Sequence, residues 1–387
     1  MRPGIRLELV QHMRILTVFG TRPEAIKLAP FVLALKSDPG FESIVCVTAQ
    51  HRQMLDQVLE IFALKPDHDL NVMRPNQNLT SLTASVLEGV GKVIDEVRPD
   101  WVVVQGDTTT AFAAALAAFY RKVRVAHVEA GLRSGNIFAP WPEETNRQLV
   151  GRLATLHFPP TAGAAENLRN EGVRESEILV TGNTVIDALQ WVLAKIDRDG
   201  SLRDSISASL PQMDPSKRTI LVTGHRRENF DGGLERICQG LRQLADRGDV
   251  EIIYPVHLNP NVQNTVKAVL GDHPAVRLIA PLDYTPFAAL MRRSYLLITD
   301  SGGIQEEAPS LGKPVLVTRD TTERPEAVQS GTAKLVGTRA EDLVSAASQL
   351  LDDTDAYLRM ARAHNPFGDG TASRQIADYI KIWRPAS

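Results

Sequence analysis

Carboxylates placed just after apolar runs are the first chemical signal in this chain. Asp107 follows Trp101–Val104 and Glu129 follows Val123–Val128, so each closes a stretch that reads as a buried strand. A carboxylate half out of water there gains basicity, as proton-transfer chemistry needs. Glu143 and Glu144 follow Pro140-Trp141-Pro142 and are expected in a helix's first turn, where stabilising the helix dipole is the alternative to catalysis. His225 lies between Gly224 and the pair Arg226-Arg227 after another apolar run, a second acid–base candidate. An anion site is suggested by Ser301-Gly302-Gly303, which follows a strand pattern and opens a helical one carrying Glu306 and Glu307. Glycines admit a ligand to the backbone and a helix start offers free N–H groups, although a serine-capped turn reads the same way. Arg22 and Lys27, in Gly20-Thr21-Arg22-Pro23-Glu24 and one turn beyond, are further diphosphate candidates, or a solvated surface pair. Neither a Walker A loop nor a G-x-G-x-x-G fingerprint occurs, and no His/Cys/Asp/Glu set has metal-ligand spacing, so neither a cofactor nor a metal is expected.

Something must hold these groups in place, and the chain alternates short apolar strands with amphipathic helices almost throughout. Strand patterns occur at Ile15–Phe19, Ile44–Val47, Trp101–Val104, Val123–Val128 and Ile178–Val180. They recur at Ile220–Val222, Glu251–Tyr254, Val276–Ile279, Tyr295–Ile298 and Val315–Val317, with helical periodicity between them, as in Met54–Phe62 and Thr110–Tyr120. Such βα repetition predicts buried parallel sheets, and this many strands are better divided between two domains. The expected organisation is α/β with two Rossmann-like parallel-sheet domains, 13–197 and 217–364, and a final segment 365–387. The boundary is expected in the polar stretch 197–216, which carries Pro211 and Pro215. Ligands bind at the carboxyl ends of strands in such sheets, and charged or small residues follow nearly every strand here. Two such rims facing each other would form a polar cleft between domains.

Composition narrows the class. The chain has 387 residues, 43% hydrophobic and 23% charged, with net charge −3, which favours neither a nucleic acid nor a membrane surface as partner. The longest apolar run, Ala111–Phe119, is too short to span a bilayer. Cys46 and Cys238 read as buried thiols in a reducing, cytoplasmic setting. Met1–His12 lacks the apolar core of a signal peptide and precedes Met13 at the first strand; it reads as a tail or as an early start codon.

The motifs together resemble the non-hydrolysing UDP-N-acetylglucosamine 2-epimerases. The runs are Phe19-Gly-Thr-Arg-Pro-Glu-Ala-Ile-Lys27, Thr48-Ala-Gln-His-Arg-Gln53, Gly106-Asp-Thr-Thr-Thr110 and His127-Val-Glu-Ala-Gly-Leu-Arg133. Further matches are Trp141-Pro-Glu-Glu144, Thr181-Gly-Asn-Thr184, Gly224-His-Arg-Arg-Glu228, Tyr254-Pro-Val-His-Leu-Asn-Pro260 and the long run from Thr299 to Pro314. Arg319-Asp-Thr-Thr-Glu-Arg-Pro-Glu326 and Asn365-Pro-Phe-Gly-Asp-Gly370 complete a resemblance that runs from about Met13 to the C-terminus. It implies a glycosyltransferase-B-like architecture with the active site in the interdomain cleft, a last helix returning to the first domain, and a homodimer. It implies reversible interconversion of UDP-GlcNAc and UDP-ManNAc, supplying ManNAc units for surface polysaccharide, with UDP against the second domain. Ser301, Gly302 and Gly303 would then bind the diphosphate with Arg22 nearby, and Glu307 the ribose hydroxyls. Arg324 and the segment Leu282–Phe287, including Phe287, would complete the pocket. The family's route eliminates UDP to 2-acetamidoglucal and adds it back after C2 is reprotonated on the other face. Such a route requires carboxylates near C2, cations on the leaving diphosphate and no hydride carrier. Asp107, Glu129 and Glu143 form the implied proton-transfer set, with His225 and Lys27 for the leaving group and positioning. Gln50, Gln53, Glu143, Arg226 and His257 match positions that hold a second, activating UDP-GlcNAc in some relatives. The competing readings are a hydrolysing 2-epimerase that releases ManNAc and UDP, a glycosyltransferase on the same fold, and a non-catalytic nucleotide-sugar sensor.

Overall fold

A computed structural model describes residues 12–49, 52–74, 77–224, 226 and 232–384. The chain divides into two compact units, one of residues 1–188 with 370–387, the other of residues 189–369. The division falls inside the helix Thr184–Arg198. The sequence places a boundary at 197–216 instead, but part of that polar stretch folds as the helix Gly200–Ser209, capped by Asp199.

Unit 1 holds the strands β1 (Met13–Phe19), β2 (Phe41–Val47), β3 (His68–Asp69), β4 (Trp101–Gln105), β5 (Arg124–Val128) and β6 (Leu156–Phe158). All pair in parallel in the order β3-β2-β1-β4-β5-β6. Unit 2 holds β7 (Arg218–Thr223), β8 (Val250–Pro255), β9 (Val276–Ile279), β10 (Leu296–Thr299), β11 (Val315–Val317) and β12 (Ala333–Leu335). Their order, β12-β11-β10-β7-β8-β9, is the same doubly wound arrangement. Each sheet reverses direction of growth between two central strands, β1 and β4 in unit 1, β7 and β10 in unit 2. Loops leave these strand pairs toward opposite faces, which opens a crevice at the carboxyl edge.

Helices cover the sheets, so strand residues are buried on both faces and read as continuous apolar runs; every residue of β4 is buried. In unit 1 the helix Thr109–Tyr120 packs an alanine-rich surface against Val86, Val90, Val102 and Val104. In unit 2, Ile220, Val222, Leu241, Ile252 and Ile298 form the equivalent core. The final helix, Ala372–Ile382, belongs to unit 1, where Trp383 meets Trp101 edge to face at 5.5 Å between ring centres. Arg124 lies 5.7 Å from both rings. Cys46 and Cys238 are free, buried thiols.

One strand expectation needs correction. Ile178–Val180 is not a strand: Ile178 makes a single bridge to His157, and the sixth strand of unit 1 is β6. The segment follows a short helical turn, Glu175–Glu177, and its further backbone contacts are single hydrogen bonds, Leu179 N–H to His157 O at 3.0 Å and Thr181 N–H to Pro159 O at 3.2 Å. The short strands β3, β6 and β12 lie outside the apolar runs. No helix among the described residues is long and apolar enough to cross a membrane.

Candidate active site

At the carboxyl edge of unit 1, Thr21 caps the helix Arg22–Ser37 in a reciprocal capping box with Glu24. Glu24 Oε2 accepts from the N–H groups of Gly20 (3.0 Å) and Thr21 (2.7 Å), while its Oε1 accepts from Thr108 Oγ1 at 2.6 Å. One buried side chain thus ties the loop after β1 to the loop after β4, across the switch point. Burial pushes its carboxyl pKa up, against the hydrogen bonds it accepts. The capping turn also sets Arg22, half-buried, at the helix entrance.

One turn further along, Lys27 Nζ reaches both carboxylate oxygens of Glu129, at 2.7 and 2.6 Å. Glu129 follows β5 with φ of +61°, a left-handed conformation rare for a residue other than glycine. Its carboxylate also accepts from Gln105 Nε2 and, at 3.0 Å, from Asn183 Nδ2. The side chain is therefore fixed from three directions and only 5% exposed. Asp107, after β4, meets the Arg147 guanidinium at 2.8 Å. Arg147 in turn reaches Glu144 at 3.1 Å. Burial raises the Asp107 pKa and the nearby Glu129 charge adds to that, while Arg147 and Lys27 act the other way. The loop is also held through its backbone: Asn146 Nδ2 donates to Asp107 O at 2.9 Å, and His127 Nε2 donates to Gly106 O at 2.7 Å. Burial lowers the His127 pKa to about 4, so the ring is neutral at pH 7 with its proton on Nε2.

Glu143 and Glu144 begin the helix Glu143–Leu153. Glu144 is fully buried; burial would raise its pKa, but hydrogen bonds from the Ser134 N–H (2.9 Å), Gln148 and Arg147 outweigh that and lower it. Glu143 is half-buried and makes no ion pair among the described residues. The two neighbours thus separate: Glu144 is structural, and Glu143 remains accessible.

In unit 2, Ser301 stands at the N-cap between β10 and the helix Gly302–Glu307. The Ser301 side chain makes no cap bond, and the Ser301 backbone N–H donates to Thr299 Oγ1 at 2.9 Å. A Cβ on Gly302 would lie 3.9 Å from Arg324 Cζ, and one on Gly303 would lie 3.7 Å from Glu307 Oε1. Both glycines therefore border the side chains expected to take the nucleotide. Arg324 Nε is ion-paired with the buried Glu306. Glu307 accepts from Tyr284 Oη at 3.2 Å, at the start of the helix Tyr284–Arg293 that carries half-buried Phe287. Arg226 donates its N–H to Asp300 at 2.8 Å and lies 3.5 Å from Glu323. Although burial opposes it, Arg319 at 2.7 Å keeps the Glu323 carboxyl well below its usual range. His257 is exposed, its Nδ1 accepting the Asn259 N–H at 3.1 Å.

The structure thus brings Lys27, Asp107 and Glu129 together in unit 1, and Ser301, Gly302, Gly303, Glu307 and Arg324 together in unit 2. His225, Gln50 and the side chain of Gln53 lie outside the described residues. Sequence reasoning gives no role to Arg147 or Gln105, and it names Glu24, Asn183, Glu306 and the segment Leu282–Phe287 that holds Tyr284 without the contacts they make. Only Arg147 leaves a signal, standing one helical turn from Glu143 and Glu144. The rest are recognisable only from contacts between residues far apart in sequence.

Residues 33–381 match the family described as UDP-N-acetylglucosamine 2-epimerase. The chain is 56% identical over 370 residues to the UDP-N-acetylglucosamine 2-epimerase of Escherichia coli K12, covering 95% of this chain and 98% of that one. The crystal structure of the Neisseria meningitidis UDP-GlcNAc 2-epimerase bound to UDP-GlcNAc is 47% identical, covers 95% of this chain and 100% of its own, and superposes with a TM-score of 0.86. The Methanocaldococcus jannaschii enzyme in complex with UDP-GlcNAc and UDP is 34% identical over 96% of this chain and 100% of its own, with a TM-score of 0.77. With the matched region spanning most of both Rossmann-like units, the chain belongs to the UDP-N-acetylglucosamine 2-epimerase family.

Proposed function

We infer that this protein is a non-hydrolysing 2-epimerase that interconverts UDP-GlcNAc and UDP-ManNAc. The observation that carries the reading is a pair of carboxylates on adjacent strands in unlike surroundings: Glu129 is clamped by a lysine and two amides, and Asp107 has a raised pKa. Inversion at C2 needs one group to take a proton from one face of the ring and another to return it on the opposite face. Asp107, Glu129 and Glu143 form this proton-transfer set. As the C2–H bond breaks, its electrons form the C1–C2 double bond and the C1–oxygen bond to UDP breaks, giving 2-acetamidoglucal and UDP. Protonation at C2 and attack of the UDP oxygen on C1 complete the cycle with no net consumption of water or electrons.

Unit 2 supplies the nucleotide end. Ser301, Gly302 and Gly303 border the diphosphate, Arg324 is held beside Gly302 by Glu306, and Glu307 accepts the ribose hydroxyls with Phe287 nearby. Lys27, Arg22 and His225 assist the departing diphosphate. The reading includes a cytoplasmic homodimer, which light scattering tests, and activation by a second UDP-GlcNAc at Gln50, Gln53, Glu143, Arg226 and His257. Hyperbolic kinetics from pure UDP-ManNAc, unstimulated by UDP-GlcNAc, would remove the activation.

Proton NMR of UDP-GlcNAc with enzyme in deuterated water tests the reaction itself. Deuterium at C2 together with a UDP-ManNAc signal is expected. Accumulation of free UDP and ManNAc would instead identify the hydrolysing reaction.

A further inference from the structure

Unit 2 carries a basic cavity at the end of its sheet opposite Ser301. The loops that enter three neighbouring strands meet there: Lys217 and Arg218 at the start of β7, Arg293 and Tyr295 before β10, and Lys313 before β11. They line a cavity of about 480 Å³, within the size range of small-molecule sites.

Cations outnumber acids in the lining, four to one: Lys217, Arg218, Arg293 and Lys313 against Asp214. Arg218 is already engaged by Asp249 and the Leu351 carbonyl. Lys217, Arg293 and Lys313 make no ion pair among the described residues, although neighbouring Arg292 has one, to Asp197 at 2.8 Å. The acid in the lining, Asp214, accepts from the Oγ (2.6 Å) and N–H (2.9 Å) of Ser216, and its carboxyl, held below the usual range by those bonds and by the nearby Lys217 and Arg277 charges, offsets part of the Lys217 charge. A cation in the last turn of a helix ordinarily answers the helix dipole, and Arg293 fits that description. Lys313 does not, because it follows a left-handed Gly312 at the mouth of β11 and is half-buried. Burial alone moves its pKa, downward. An ammonium drawn partly out of water without a carboxylate beside it favours an incoming anion.

We propose that this cavity is a second anion-binding site, distinct from the Ser301–Gly303 rim, which takes a phosphorylated small molecule through Lys217, Arg293 and Lys313. The site needs no part of the epimerase machinery, so it stands or falls independently of the reaction assigned above.

Isothermal titration of inorganic pyrophosphate into the full chain, with and without saturating UDP, tests it. A saturable Kd on the order of 1 mM or tighter is expected in both conditions at low salt, weakening as ionic strength rises. The double variant R293Q/K313Q should weaken binding about tenfold or more, whereas K92Q, on an exposed helix face of unit 1, should not change it. R293Q alone alters an exposed side chain and keeps the test valid if the double variant folds poorly; a loss of about threefold is expected. Binding that UDP abolishes, binding equal in R293Q and the wild type, or no saturable heat in the wild type would overturn the proposal.

Discussion

Asp107 and Glu129 end neighbouring strands, yet their surroundings set them apart. Glu129 has Lys27 across both oxygens, while Asp107 is raised by burial and shares Arg147 with Glu144. Replacing either carboxylate, D107N or E129Q, should lower kcat about 10²–10⁴-fold with little change in KM, read from the rate of UDP-ManNAc formation. R147M removes a charge that lowers the Asp107 pKa, so the limb of the pH–rate profile governed by Asp107 should move to higher pH. A lower rate with unmoved limbs would mark Arg147 as merely structural. At the proposed nucleotide end, E307Q removes the negative charge that accepts from Tyr284 and should weaken UDP binding about tenfold by calorimetry while leaving the unit 1 carboxylates intact. The candidate residues themselves were readable in sequence because charged groups directly after apolar runs are conspicuous. Their partners were not: Gln105, Asn183 and Glu306 become meaningful only when hydrogen bonds bridge distant segments.

At the scale of elements, backbone conformation fixes the loop after β5. Glu129 has φ of +61° and Gly131 has φ of +84°, and a Cβ on Gly131 would lie 2.2 Å from the Ala164 carbonyl oxygen. G131A must therefore displace the backbone of the helix Ala162–Asn170, and a loss of about 2 kcal/mol or more is expected in chemical denaturation. An unchanged midpoint would mean that the loop relaxes without cost. Long apolar strands such as β1 and β4 announce themselves, since both faces are covered. The strands β3, β6 and β12 do not, because runs of two or three residues, including His157 and Lys334, carry no period. Ile178–Val180 illustrates the converse: it is apolar enough for a strand but makes only one bridge, from Ile178 to His157.

Across the whole molecule, two buried histidines couple stability to pH. The His127 pKa is lowered to about 4 by burial, and that of His157 to about 3 by burial and by the nearby His127 and Arg133 charges. In the unfolded chain both return to about 6.5. The unfolded state then binds protons first, so the stabilising contribution is complete above pH 6.5 and is lost as pH falls toward 4 and 3. For His127 this amounts to roughly 3 kcal/mol. The unfolding midpoint should fall steeply between pH 6.5 and 4, and H127Q should flatten that slope; an equally steep profile in the variant would refute the assignment. The sequence by itself determined the repeated βα pattern, the crowding of polar residues after strands and the family, because these depend on local periodicity and contiguous motifs. Only the tertiary structure decided that the division falls inside a helix, that the last helix, whose return to the first domain the family resemblance implies, is fastened there by Trp383 against Trp101, and which of Glu143 and Glu144 stays accessible. Those outcomes depend on which distant surfaces bury one another, and that free energy is not written in any local stretch of chain.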